Sequence, residues 1–258
     1  MVYGSFGCVA RSRYTGLSGR LWAKFASTSA YLYAVPVPLQ TPITAEKFSV
    51  NIALSHGGLM DYEAALALQR NFHSEVVSGQ RSNTLILLEH PSVYTAGKRT
   101  QDFEKPTDGT PVINVDRGGR ITWHGPGQLI GYPIVKLLKP TELVGFVRTL
   151  EGALINVCAD FGINAIRIDD RSGVWVSDAK GDRKIAAIGI RVASGVTMHG
   201  FALNVSPDLA AFGQIVPCGI DDADVTSMAI ELARAIDISE VTPVIEKYLI
   251  KALGKVSA

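Results

Sequence analysis

The sequence predicts an α+β fold, a mixed and largely antiparallel sheet flanked by helices. Three observations carry that expectation. Long runs of helical period sit among many short β-branched or alternating segments. Several neighbouring strand segments are joined by connections too short for a crossover helix, which favours antiparallel pairing over a doubly wound parallel sheet. The pattern also runs on without internal repeats or low-complexity tracts.

The elements follow in order. Residues 50–54 read as a short strand. Asp61 is placed to cap a helix that turns Ala65, Leu66, Phe72 and Val76 inward and ends at Gly79. Buried-strand runs are expected at 84–88 and 111–115, and the β-branched stretch 129–137 suits a sheet better than a helix. Thr141 is the expected cap of a second long helix, with Leu143, Phe146, Val147, Leu150, Leu154, Val157 and Phe161 on its apolar side and Gly162 at its end. Strands at 165–168, 173–176, 185–192 and 197–205 come next. The last helix starts at Ser239 or Thr242, with Pro243 in its first turn, and runs through Leu253.

With 258 residues and 47% hydrophobic content, the chain is long enough for one well-buried domain, assigned to 46–258. Residues 1–45 differ: they carry Arg11, Arg13, Arg20 and Lys24 but no acid before Glu46. An organelle transit segment, an unstructured leader and a start codon placed too early all fit that composition. A net charge of +1 argues against a general grip on nucleic acid. Cys8, Cys158 and Cys218 are scattered, odd in number and without a CxxC pair, which fits a reducing compartment rather than a disulfide framework. No apolar run reaches the ~18 residues of a membrane span.

Two neighbourhoods carry the chemistry. The segment from Asp116 to Gln128 holds four glycines in ten residues, beside Arg117, Arg120 and His124. Such a loop brings backbone N–H groups close to a carbonyl or an oxyanion, although an ordinary hairpin with a solvated basic face has the same composition. It has neither the Gly-x-Gly-x-x-Gly nor the Gly-Lys-Ser/Thr pattern of nucleotide loops. The second neighbourhood pairs Lys184, at the head of Lys-Ile-Ala-Ala-Ile-Gly-Ile, with Cys218 in Val-Pro-Cys-Gly-Ile. A thiol with a pKa of about 8.5 becomes a strong nucleophile when a nearby cation favours its thiolate. A Cys–Lys couple therefore points to acyl transfer through a thioester. Cys158, on a helix, reads as a small buried hydrophobe. His90, His124, His199 and Cys218 lack the paired spacing of a zinc site.

Arg117 to Leu129, Tyr132-Pro133-Ile134, Lys184, the stretch from His199 to Asn204 and Pro217-Cys218-Gly219-Ile220 occur in the order found in the octanoyl (lipoyl) transferases of lipoate biosynthesis, and the chain resembles that family. Leu88 to Pro91 and Val93 to Gly97 extend the resemblance upstream. It implies a fold like the catalytic domains of biotin protein ligases and lipoate ligases. It also implies transfer of an octanoyl group from octanoyl-acyl carrier protein to a lysine of lipoyl domains, both those of 2-oxoacid dehydrogenase complexes and the glycine cleavage H protein. By motif, Cys218 is the nucleophile and Lys184 lowers its pKa. Arg117, Gly118, Gly119, Arg120, Ile121, Thr122, Trp123, His124, Ala187, Ile188, Gly189, Gly200, Phe201 and Ala202 form the acyl-binding walls. No cofactor, metal, membrane or nucleic acid is implied. The expected state is a cytoplasmic monomer, or a mitochondrial or plastid one if the leader is a transit segment. The rival readings are an ATP-dependent ligase of the lipoate or biotin type and a non-catalytic module that docks carrier domains.

Overall fold

The computed structural model describes the backbone of residues 51–54 and the whole of 59–215 and 223–258. The leader at 1–45 and residues 216–222, Cys218 among them, lie outside the described residues.

Strands β1 (Asn51–Leu54), β2 (Thr84–Leu88), β6 (Gln128–Ile134), β10 (Val196–Asn204), β9 (Gly181–Ala193), β8 (Arg171–Asp178) and β7 (Ala165–Ile168) lie side by side in that order. β11 (Asp224–Val225) adds to β9 and completes eight strands. Within this sheet, among the described residues, only β1 with β2 and β11 with β9 pair in parallel, so it is mixed and largely antiparallel, as expected. A second sheet orders β4 (Val112–Asn114), β3 (Val93–Ala96) and β5 (Thr122–His124). It takes in the strand expected at 111–115 and two that the glycine-rich reading did not foresee.

Helices cover both faces. α1 (Tyr62–Val77) packs Ala65, Leu66, Phe72 and Val76 on one face against Ile86, Ile130, Tyr132, Met198 and Ala202. α2 (Leu143–Asp160) and α4 (Ile238–Leu253) cover the other face, where Leu150, Leu154, Val157, Val241, Ile245 and Leu249 have no exposure at all. Each such side chain contributes about 1.5–3 kcal/mol when fully buried, which is why these helices hold despite ordinary propensities. Cys158 lies in that core, and burial pushes its thiol up to about 12.

Helix starts follow the caps, with two corrections. The Asp61 carboxylate accepts the Ala64 N–H at 3.0 Å, as the sequence predicts. Thr141 does not cap α2: the preceding turn bonds Glu142 N–H to the Lys139 carbonyl, so Glu142 becomes the flanking residue. Neither Ser239 nor Thr242 opens α4. Asp237 does, because Glu240 sits three residues on and accepts the Asp237 N–H at 3.0 Å. Pro243 consequently falls in the second turn rather than the first. The short helix α3 (Met228–Leu232) was not foreseen. Among the described residues, no helix is long and apolar enough to cross a membrane.

Candidate active site

The site is built where β9 and β10 pair through small residues. Gly189 faces Gly200 and Ala187 faces Ala202 across the ladder. Their small side chains leave a cavity of about 270 Å³ on the α1 face of the sheet, lined by these four with Ile188 and Phe201. Its walls add Arg117, Gly119, Arg120, Thr122 and His124 from the glycine-rich segment, and Lys184 from the start of β9.

Three expected wall residues stand back from the cavity. Gly118 spends its N–H on the Ile190 carbonyl at 2.9 Å, which ties the loop to β9. Ile121 and Trp123 pack into a small core with Tyr94 and Phe212. Sequence reading also missed several liners: Tyr62, Arg99, Tyr132, Asp170, Arg171, Ser172 and His199. Tyr132 and His199 stand inside quoted motifs. Tyr62 and the turn that carries Asp170 give no sequence signal of their own.

Arg117 is not part of the solvated turn face that composition allowed, whereas Arg120 keeps 38% of its side chain exposed. Arg117 is 7% exposed and donates to the Thr95 carbonyl at 2.7 Å, Thr95 Oγ1 at 2.9 Å and the Arg120 carbonyl at 2.8 Å. It thereby knits the loop to β3. Arg120 is held by the fully buried Glu104 carboxylate at 2.5 Å. A side chain fixed this way keeps its charge at the cavity wall without large ordering cost on binding.

His124 has its tautomer set by neighbours. Gln128 Nε2 donates to the Trp123 carbonyl and to Asn204 Oδ1, while Asn204 Nδ2 donates to the Thr226 carbonyl. Gln128 Oε1 is left to accept, so the proton lies on His124 Nδ1, 3.2 Å away. Burial, with His90 and Arg117 nearby, holds the imidazole well below its ordinary range and keeps it neutral. His90 is likewise lowered by burial; it donates from Nδ1 to the Met60 carbonyl at 2.6 Å and accepts the Tyr132 hydroxyl at 2.8 Å. Burial drives the Tyr132 phenol well above its usual value and Tyr62 up to about 12.

His199 occupies the left-handed region at φ 58 in the middle of β10, unusual for a side chain with a Cβ. Its N–H is taken by Gln69 Oε1 at 2.9 Å and its Nε2 donates to Asp116 Oδ1 at 2.8 Å. Burial lowers the His199 pKa against the pull of Asp116. For Asp116, burial pushes upward but is outweighed by the His199 hydrogen bond and charge and by Arg191, so the carboxylate stays below its usual range.

Lys184 is 7% exposed, and its Nζ lies 4.5 Å from the centroid of the Trp175 ring. Among the described residues, the five cations Arg99, Arg117, Arg120, Arg171 and Lys184 face the cavity against the single acid Asp170. An apolar floor with cationic walls suits a chain that is greasy at one end and carries an anionic or polar carbonyl group at the other. Among the described residues, no group of three or more His, Cys, Asp or Glu side chains is arranged to hold a metal ion.

The architecture is that of lipoate ligase catalytic domains. The bi-partite lipoate protein ligase of Thermoplasma acidophilum superposes with a TM-score of 0.60 over 80% of this chain and 84% of that one, at 15% identity. A lipoate-protein ligase A bound with ATP gives 0.58 over 80% and 86%, at 14% identity. Residues 61–250 match the lipoyl protein ligase A/B catalytic domain, and the chain belongs to that family. Within it, the chain is 59% identical to an octanoyltransferase of Acidothermus cellulolyticus over 203 residues, 78% of this chain and 92% of that protein. It is 56% identical to an octanoyltransferase of Salinispora tropica over 201 residues, 77% and 94% respectively.

Proposed function

We propose that the protein transfers an octanoyl group from the thioester of acyl carrier protein to a lysine of lipoyl domains, through an acyl-enzyme on Cys218. The carrying observation is that motifs scattered over more than eighty residues, from Arg117 to Ala202, meet at one cavity with Lys184 in its wall. The identity to proteins named octanoyltransferase, at more than half of the aligned positions, supports the same substrate.

A thioester is already activated, so the chemistry calls for a nucleophile, a proton carrier and an oxyanion site rather than a nucleotide. The Cys218 thiolate, stabilised by the Lys184 ammonium, attacks the octanoyl carbonyl. The tetrahedral adduct collapses, the bond to the carrier's sulfur breaks, and that sulfur leaves with a proton from Lys184. The acceptor's lysine amine then attacks the Cys218 thioester. Lys184, now neutral, takes the amine's proton as the C–S bond breaks, and the amide and the starting Cys218 thiolate–Lys184 ammonium pair result. The alkyl chain lies along Ala187, Gly189, Gly200 and Ala202, and the cationic wall favours an acidic donor. The acceptors are the lipoyl domains of 2-oxoacid dehydrogenase complexes and the glycine cleavage H protein, and the setting is the cytoplasm.

The test compares two donors with a lipoyl-domain acceptor. Octanoyl-carrier thioester without nucleotide should modify the acceptor, whereas octanoate with ATP and magnesium should not. The reverse pattern would make the protein a ligase, and binding without modification would make it a docking module.

A further inference from the structure

Alternation along β9 puts every second side chain on the helix-covered core of α2 and α4. Ala186 lies in that core, Ile188, Ile190 and Val192 pack against it, and Ala187 and Gly189 line the cavity on the other face, with Ile188 touching both. By the same count Lys184 belongs in the core. It lines the cavity instead. The reason lies in the ladder: Val174 pairs with Ala186, but the next residue of β8, Trp175, pairs with Lys184, so Ile185 is an extra residue on β9. Ile185 and Ala186 both join the core, and the phase is reset for what precedes them. Arg183 then points to the α3 side, where Glu231 binds it at 3.0 Å, and Lys184 points to the cavity. Bulges re-aim side chains in this way.

The same bulge sets Trp175 directly across from Lys184, on the same face of the sheet. The ring is 1% exposed, and the lysine Nζ sits 4.5 Å from its centroid. The indole N–H has no hydrogen-bond partner among the described residues. Among the described residues that donor is unpaired, a cost that leucine or phenylalanine would avoid at this position. What tryptophan offers in return is the aromatic face that binds cations best.

We infer that Trp175 is a positioning residue for the reaction: its ring face holds the Lys184 ammonium, and so favours the Cys218 thiolate. This rests on the Lys184–Cys218 couple of the proposed function. A desolvated ammonium close to a ring is stabilised enough to change a charge-dependent rate roughly tenfold.

The test follows alkylation of Cys218 by iodoacetamide against pH, read by mass analysis of the peptide that contains it. Lys184→Met should raise the pH midpoint. Trp175→Met should raise it by about one pH unit and slow acylation by octanoyl-carrier thioester roughly tenfold. Trp175→Phe, which keeps a ring face, should restore most of both. Tetrafluorotryptophan at position 175 alone preserves shape while removing the ring's negative face, so it should behave like Trp175→Met even if the methionine variant folds poorly. A midpoint unmoved by Lys184→Met would overturn the Lys–Cys couple itself. A midpoint moved by Lys184→Met but unmoved by tetrafluorotryptophan would overturn only the role given to Trp175.

Discussion

Gly173 is the position where one added methyl group should do most damage to the bulge. Its φ of 112 lies in the left-handed half of backbone space, and a Cβ there would meet the Ala186 carbonyl oxygen at 2.5 Å and Lys184 Cε at 3.5 Å. Left-handed backbone alone costs a residue with a Cβ about 1–2 kcal/mol. Gly162 isolates that cost, because its φ is 85 and an added Cβ meets nothing within 4 Å. Gly173→Ala adds a backbone collision that only a shift of β8 from β9 relieves, so its loss should reach about 3 kcal/mol or more. Urea denaturation of both variants measures the difference, and the melting temperature should fall by about 2–4 °C per kcal/mol. Since the displaced carbonyl belongs to the bulge that aims Lys184, Gly173→Ala should also acylate more slowly than Gly162→Ala at a temperature where both are folded. Equal stability losses for the two variants would refute the reasoning from the 2.5 Å contact.

Three more expectations follow from the same geometry. Gly189→Val should cut octanoyl transfer at least about tenfold, since even a first Cβ lies 3.0 Å from Arg117 Cδ and 3.2 Å from the Gly118 carbonyl oxygen and the rest of the side chain must enter the cavity; full activity would remove Gly189 from the acyl wall. Glu151→Ala should destabilise by about 1–3 kcal/mol in denaturant titrations, because it leaves the buried Gly173 N–H, now 3.0 Å from the carboxylate, without its acceptor, while Arg148 and Arg167 are exposed enough to turn to water; a change below about 0.5 kcal/mol would contradict this. Burial lowers His124 the most clearly and also His90 and His199, so the unfolded chain binds more protons than the folded one below its histidine pKa of about 6.5. Stability from these groups is complete above that pH and is lost as pH falls through their folded values, so the denaturation midpoint should drop between pH 6.5 and 5; a flat profile would refute it.

Much of the framework was legible because burial and period coincide. The run Thr84–Leu88 reads as a buried strand, and all five of its residues are buried. The Asp61 cap and the glycine at 79, with φ 77, bracket α1 as the sequence suggests. What escaped was decided by tertiary contact. Thr122–His124 pairs with β3 through Thr95, Tyr94 and Val93, and nothing local distinguishes that strand from the glycine loop around it. Arg117 reads as a surface charge until the Thr95 and Arg120 carbonyls are seen to enclose it. Lys184 drew notice through its motif, but period alone would have sent it into the core. The extra residue at Ile185 that turns it to the cavity is a property of the β8–β9 pairing, not of either strand. His199 stands in a quoted motif and among the histidines without zinc spacing, but its left-handed backbone and its bond to Asp116 arise from the fold.

The central claim is the covalent acyl-enzyme on Cys218, and intact-mass analysis after exposure to octanoyl-carrier thioester tests it most directly. The protein should gain one octanoyl group that neutral hydroxylamine removes and a lipoyl-domain acceptor discharges. Cys218→Ala should gain none, and Lys184→Ala should gain it far more slowly. Undiminished labelling of the Cys218→Ala protein, or transfer to the acceptor by that variant at the native rate, would contradict the account.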